Sequence, residues 1–296
     1  MSGDGFVRAG ENGRLTLAVP SKGRMLQPTL ELCAAAGLSF EATERALLVP
    51  CANAPVDLLL VRPHDIPEYV QDGVVHAGIT GANLVVEAGA DVVTVGELGF
   101  ARCTLEAAVP EDAPQAELRD LGGLRVATAY PVTTRDRLEA LGVSVELVPV
   151  SGSVEAAPRL GLADAIVDLV STGSTASANG LRRIGALLES QAVLIAGPPA
   201  LQENGELLER LRLMLSGVVA ARRRRYVMMN APASALDAIR AVLPSMEAPS
   251  VLNLAEPGQI AVHAAVEADE IWNLLPPLKA AGASDILVIP VERLLP

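Results

Sequence analysis

Aromatic side chains are scarce in this 296-residue chain: three Phe, three Tyr and the single Trp272. Ala, Val and Leu must fill the interior. A single-strand nucleic-acid binder, which needs aromatic platforms for base stacking, is disfavoured. Lysine is nearly absent too, with only Lys22 and Lys279. The 23 basic residues face 35 acidic ones, and a formal charge of −12 repels nucleic-acid phosphates as a whole. A local basic pocket can still hold a small anion.

Cys33, Cys51 and Cys103 are odd in number and widely spaced, which speaks against a disulfide framework or a structural zinc site. No apolar run reaches the ~18 residues of a membrane helix. The segment Met1 to Arg14 lacks the apolar stretch of a signal peptide. These absences lead to the expectation of a cytoplasmic chain without membrane or nucleic-acid partners.

What is present is alternation. Short apolar runs, Leu15 to Val19, Val56 to Val61, Ala77 to Thr80, Val92 to Val95 and Cys103 to Val109, read as strands. Helical stretches separate several of them, one from Pro28 to Ala36 before Gly37 and one opened by Pro63 and ended by Gly73. Leu124 to Thr128, Val143 to Val148 and Ala165 to Val170 continue the strands, with a helix from Thr133 to Leu141. That is an α/β pattern. From Tyr226 the order becomes βαββαβ, ending on Asp285 to Pro290, which is the ferredoxin-like unit. The basic run Arg222 to Arg225 precedes it and reads as a solvated helix end beside a linker, or as an interdomain or subunit contact.

Two loops carry candidate chemistry. In Ala165-Ile-Val-Asp-Leu-Val-Ser-Thr-Gly-Ser-Thr175, one acid, Asp168, rides a buried strand towards a hydroxyl-rich loop. N–H groups at a helix start, with Gly173 permitting close approach and Ser171, Thr172, Ser174 and Thr175 adding hydroxyls, would cradle a phosphate. Asp168 would then accept hydrogen bonds from sugar hydroxyls. An ordinary strand–turn–helix with a Thr cap fits these residues equally well. In Pro20-Ser-Lys-Gly-Arg24, Lys22 supplies a point charge and Arg24 a bidentate fork, a pairing suited to pyrophosphate. A solvated loop is the plainer alternative.

With these segments in hand, the chain from about Leu15 to Leu294 resembles the long-form ATP phosphoribosyltransferases of histidine biosynthesis. The resemblance rests on Val19-Pro-Ser-Lys-Gly-Arg24, Arg62-Pro-His-Asp-Ile-Pro67, Gly78-Ile-Thr-Gly81, Ala127-Thr-Ala-Tyr-Pro131, Gly152-Ser-Val-Glu-Ala-Ala-Pro158 and the Asp164 to Thr175 segment. Tyr226-Val-Met-Met229 and Gly282-Ala-Ser-Asp-Ile-Leu287 extend it to the C-terminal part. It implies a two-lobed α/β core like a periplasmic binding protein plus a C-terminal ferredoxin-like, ACT-like regulatory domain. The expected divisions are residues 1–100 with 190–221 as lobe I, 101–189 as lobe II and 222–296 as the regulatory domain.

The implied reaction joins phosphoribosyl pyrophosphate to N1 of ATP, with Mg²⁺ on the pyrophosphate and histidine as feedback inhibitor. The implied assembly is a homo-oligomer, dimer to hexamer. The resemblance assigns Arg24, Arg45 and Lys22 to the leaving pyrophosphate, and Glu155, Asp168 and Ser171 to Thr175 to the phosphoribosyl donor. Arg62, Asp65, Gly81 and Tyr130 are further cleft or nucleotide candidates; an Arg62–Asp65 structural pair and a strand-closing Tyr130 remain alternatives. Asn230, Ser250 and Ala283 match positions around the histidine site, none of them charged. Before Gly78 the family commonly has an acid and a large apolar residue; here stand His76 and Ala77, so a contact made there is in doubt. A non-catalytic small-ligand sensor, or a degenerate paralogue on the same fold, is the competing reading.

Overall fold

The computed structural model describes residues 13–40, 46–170, 179–243 and 248–295. The chain divides into two compact units, the second beginning at Leu213 and including the short stretch Ala35–Gly37.

The first unit holds two sheets. In the first, the order is β2 (Leu48–Pro50), β3 (Val56–Val61), β1 (Leu15–Pro20), β4 (Ala77–Gly81), β11 (Ala192–Ala196) and β5 (Val93–Glu97). Strands β3, β1 and β4 run parallel, while β2 and β11 run against their neighbours. Every residue of β4 and β11 is buried, as a sheet covered on both faces requires. Helices α1 (Leu26–Ala35), α2 (Ile66–Gln71) and α3 (Ala82–Ala88) connect these strands.

The second sheet has the order β10 (Leu181–Ser190), β6 (Cys103–Pro110), β9 (Ala165–Val170), β7 (Arg125–Thr128) and β8 (Glu146–Pro149). Helix α4 (Pro131–Ala140) follows β7, and Leu105, Leu121, Val126, Leu138 and Val167 build the core beneath it. The chain therefore leaves the first sheet after β5 and re-enters it at β11. The two crossings are bonded to each other, Ala192 N–H donating to Phe100 O at 2.9 Å and Leu98 N–H to Ala192 O at 2.9 Å. Two α/β lobes joined by a double crossing form the core of the first unit.

Helices α5 (Pro198–Glu203) and α6 (Gly205–Arg222) follow β11. The second unit then sets β13 (Ser250–Asn253), β14 (Gln259–Glu267), β12 (Arg224–Pro232) and β15 (Ser284–Pro290) in one antiparallel sheet. Helices α7 (Leu236–Val242) and α8 (Ile271–Ala280) contribute Ile239, Leu274 and Leu278 to its core, against Val227, Met229 and Val262. This is the ferredoxin-like βαββαβ order.

Three local expectations change. The helix expected from Pro63 starts at Ile66, with Pro67 in its first turn; the Pro63 carbonyl instead accepts a 2.8 Å hydrogen bond from Thr80 Oγ1. No linker accompanies the arginine run, since α6 ends at Arg222 and β12 begins at Arg224, which pairs with Glu267. The third change adds β2, β10 and β11, which the apolar-run reading passed over.

Candidate active site between the lobes

In a parallel sheet the loops after the strands' C-terminal ends gather on one edge. Lys22 and Arg24 follow β1 there, both exposed. Met25 is buried beneath them, and Gly23 takes a left-handed φ of 80° that a side chain would resist. In the second lobe, Asp168 lies half-buried near the end of β9, where Leu169 N–H donates to its Oδ1 at 2.8 Å. Burial raises its pKa above the ordinary aspartate value and the neighbouring Glu155 adds to the rise, against the lowering effect of the Leu169 bond. Glu155 reaches this position on a one-turn 3₁₀ helix, Val154–Ala156, pinned by buried Val154 and entered through Ser153 at a left-handed φ of 49°.

Tyr130 links the two sides. Its hydroxyl pKa is pushed up to about 12, first by burial and then by Asp168, with Cys103 and Glu87 adding to the rise and Arg24 opposing it. A cation from the first lobe and an acid from the second thus act on one phenol. Arg45 and Ser171 to Thr175 lie outside the described residues.

Other nominated residues take structural places. A Cβ on Gly81 would lie 2.5 Å from Asn83 Oδ1, and one on Gly78 would lie 2.3 Å from Ile66 Cγ2. Both glycines of the Gly78-Ile-Thr-Gly81 segment are therefore needed for packing. Arg62 is exposed and makes no ion pair with Asp65 among the described residues; only their backbones meet, Asp65 N–H to Arg62 O at 3.0 Å. His76 stands at the opposite edge of the sheet from Arg24. Its Nδ1 accepts the Thr16 N–H at 2.9 Å and its carbonyl accepts the Gly197 N–H at 3.3 Å. Desolvation lowers its pKa, against a smaller raising effect of Glu203, so it is a neutral imidazole within the strand ladder.

The sequence reading missed Glu87. Its carboxylate, on α3 of the first lobe, takes the N–H groups of Val132 (3.0 Å) and Thr133 (2.9 Å) and the Thr133 hydroxyl (2.7 Å) in the second. Only the composition of α4 hinted at it, since Tyr130 in the N-cap position offers no capping oxygen. A cavity of about 590 Å³ opens beside the crossings, lined in part by Glu97, Arg102, Glu189 and Gln191. It takes in none of the nominated residues.

In the second unit, Asn230 Nδ2 donates to Asp285 Oδ2 at 3.2 Å, and Ser284 Oγ donates to the same oxygen at 3.3 Å. Asp285, at a left-handed φ of 48°, adds the carboxylate that the nominated residues lacked. Buried Ala283 lies two residues before it in sequence. Ser250 is not brought close: it sits on β13, two strands from β12, and lies in register through His263 with Met228 rather than with Asn230.

A sequence profile described as ATP phosphoribosyltransferase matches residues 62–217, and one described as the HisG C-terminal domain matches residues 221–293. Proteins named ATP phosphoribosyltransferase from Methanosarcina acetivorans and Bacteroides thetaiotaomicron are 40% and 38% identical over 95% of this chain and 100% and 99% of their own. The chain belongs to the ATP phosphoribosyltransferase family. A further relative of that name, from Gemmatimonas aurantiaca, is 43% identical over 295 residues. Among solved structures, the Thermotoga maritima ATP phosphoribosyl transferase (HisG:HisZ) complex matches at 27% identity and a TM-score of 0.62, covering 70% of this chain and 98% of its own.

Among the described residues no cluster of three or more His, Cys, Asp or Glu could hold a metal ion, and no helix is long and apolar enough to cross a membrane.

Proposed function

We propose that the chain transfers the phosphoribosyl group of phosphoribosyl pyrophosphate to N1 of ATP, giving phosphoribosyl-ATP and pyrophosphate, the first step of histidine biosynthesis. Beyond family membership, one observation carries the reading. Arg24 from one lobe and Asp168 from the other both act on the Tyr130 hydroxyl, the cation lowering its pKa and the acid raising it. A donor with a sugar in its middle and a polyanion at one end needs that separation of charge.

In this reading Asp168 accepts hydrogen bonds from the ribose hydroxyls, with Glu155 beside it, and Ser171 to Thr175 hold the 5′-phosphate. Lys22, Arg24 and Arg45 face the pyrophosphate. The adenine N1 lone pair forms the bond to ribose C1 while the C1–O bond breaks, and its electron pair leaves with pyrophosphate. Positive charge grows on the sugar and negative charge on the leaving group. Positioned charges lower that barrier without a covalent nucleophile. Mg²⁺ enters with the pyrophosphate as part of the substrate.

The same reading assigns residues 1–100 with 190–221 and residues 101–189 to the two catalytic lobes, and 222–296 to regulation. Histidine would be the inhibitor, with Asn230 and Asp285 facing its ammonium group, and inhibition would require histidine to prefer a less active state. A cytoplasmic homo-oligomer, dimer to hexamer, completes the proposal. The place of His76 in the strand ladder removes the main ground for a degenerate, inactive paralogue.

The test is to mix the protein with ATP, phosphoribosyl pyrophosphate, Mg²⁺ and pyrophosphatase and to follow absorbance, with and without histidine. Formation of phosphoribosyl-ATP supports the catalytic reading, and its suppression by histidine supports the regulatory one. Absence of product from folded protein overturns the first. Full activity in saturating histidine overturns only the second.

A further inference from the structure

Helix α4 begins without a cap of its own. Tyr130 occupies the N-cap position and makes no side-chain capping bond, and Pro131 has no N–H. The next two donors, Val132 N and Thr133 N, would be orphaned at the start of the helix. Both are taken by Glu87, which also accepts from the Thr133 hydroxyl. Glu87 comes from the other lobe and is 45 residues earlier than Val132. A negative charge is also what the positive end of the helix favours.

The other end of α3, the helix that carries Glu87, is tied to the second lobe as well. Ser190, the last residue of β10, donates through its hydroxyl to Asn83 Oδ1 at 2.8 Å and accepts the Asn83 N–H at 3.0 Å; this pair is buried. Asn83 and Glu87 are one turn apart on α3. The helix thus grips the second lobe at the crossing and again beside Tyr130, and Glu87 is among the groups that act on the Tyr130 hydroxyl.

We propose that Glu87 is a positioning residue for phosphoribosyl transfer: by capping α4 from across the cleft it sets the spacing at which Arg24 of one lobe and Asp168 of the other engage a single donor molecule. This rests on the function proposed above. It follows that ligands spanning both lobes depend on Glu87, whereas a ligand held by the second lobe alone does not. Phosphoribosyl pyrophosphate is of the first kind. Ribose 5-phosphate, which lacks the pyrophosphate, is of the second.

The test uses the full chain with Glu87→Ala, which removes all three bonds, and Glu87→Gln, which keeps the reach and an acceptor oxygen. Steady-state kinetics give kcat/KM, and calorimetry gives the affinities of phosphoribosyl pyrophosphate and ribose 5-phosphate separately. Glu87→Ala is expected to lower kcat/KM for the donor about 10- to 100-fold, the scale of an ångström-sized misplacement, and to weaken its binding. Glu87→Gln, with one acceptor oxygen and no charge, is expected to restore part of that loss, and ribose 5-phosphate affinity should stay unchanged in both. Wild-type kcat/KM in Glu87→Ala would overturn the proposal. So would a parallel loss of ribose 5-phosphate binding, the mark of damage confined to the second lobe. If the wild-type chain bound the donor but made no product, while Glu87→Ala still separated the two affinities, the catalytic reading would fail and the positioning role would stand.

Discussion

Asn83 folds its side chain back over Gly81, and the space for its Oδ1 exists only because residue 81 has no Cβ. That amide oxygen accepts the Ser190 hydroxyl at the point where the chain returns from the second lobe. Gly81→Ala should therefore act on Asn83 first, costing about 1–3 kcal/mol by overpacking. The cost is expected to be non-additive with Asn83→Ala, because both changes break the same bond to Ser190. Denaturant unfolding of the two single variants and the double variant measures this. Strict additivity would show that Gly81 serves something else.

Arg24→Ala is expected to lower kcat/KM for phosphoribosyl pyrophosphate by about 10²–10³, the scale of removing one donor from developing negative charge. Arg24 is exposed, so the unfolding transition should not move. Arg24→Lys should recover only part of the loss, since a point charge does not reproduce a planar fork. Arg45→Ala is expected to fall with it. Near-normal turnover in both alanine variants would remove the pyrophosphate assignment.

The raised pKa of Asp168 carries a sign. The folded chain holds this proton more tightly than the unfolded chain, whose aspartate titrates near 3.8. Asp168 therefore favours the fold at low pH, and that contribution fades as pH rises from about 3.8 through the folded value. Sugar binding behaves oppositely, because only the ionised carboxylate accepts from both ribose hydroxyls. Ribose 5-phosphate affinity should thus weaken, as pH falls, at a pH above the usual aspartate range. Glu155→Gln should move that loss to lower pH by removing a like charge, while burial keeps part of the shift. Calorimetry against pH follows it, and an unmoved midpoint in Glu155→Gln would count against the pair.

His76→Ala leaves the Thr16 N–H without its acceptor, a loss of about 1–3 kcal/mol in thermal or chemical unfolding. Turnover per folded molecule should not change, because His76 lies at the far edge of the sheet from Arg24. A fall in kcat with unchanged stability would return this residue to the site.

Cys33 is fully buried, and burial, with Cys51 adding to it, pushes its pKa to about 12. At neutral pH it is then almost entirely thiol and a poor nucleophile. Alkylation of the native protein should leave Cys33 unmodified until denaturant exposes it, which peptide mass analysis reads directly.

Much of this was legible in residue order. Ala165 to Val170 is apolar but for one acid and forms a strand with those same ends; the βαββαβ order after Tyr226 also held. Strand β10 escaped notice because Arg182, Arg183 and Glu189 break its apolar run; it pairs antiparallel with β6, exposes Arg183 and Glu189, and ties half-buried Arg182 to the Ala113 and Gln115 carbonyls. Helix α3 has Gly81 in its N-cap position and no capping side chain, so no start signal announces it. The Gly78-Ile-Thr-Gly81 segment looked like a cleft element, but two close approaches and the Thr80 bond to Pro63 explain its composition. Glu87 left only the uncapped start of α4 as a signal, because its partners, the Val132 and Thr133 N–H groups and the Thr133 hydroxyl, lie on a distant helix.

The position of β11 between β4 and β5 has a consequence for synthesis. Among the described residues, strand β5 has no neighbour in its sheet other than β11, and β11 is made only after the whole second lobe. On the ribosome, residues 103–190 can complete their own sheet while β5 waits with both edges unpaired. The first lobe, begun at Leu15, closes only when Ala192–Ala196 has emerged. The half of the core that starts first is thus the half that finishes last, and the interval is one of exposed strand edges, when a nascent chain is most open to mispairing.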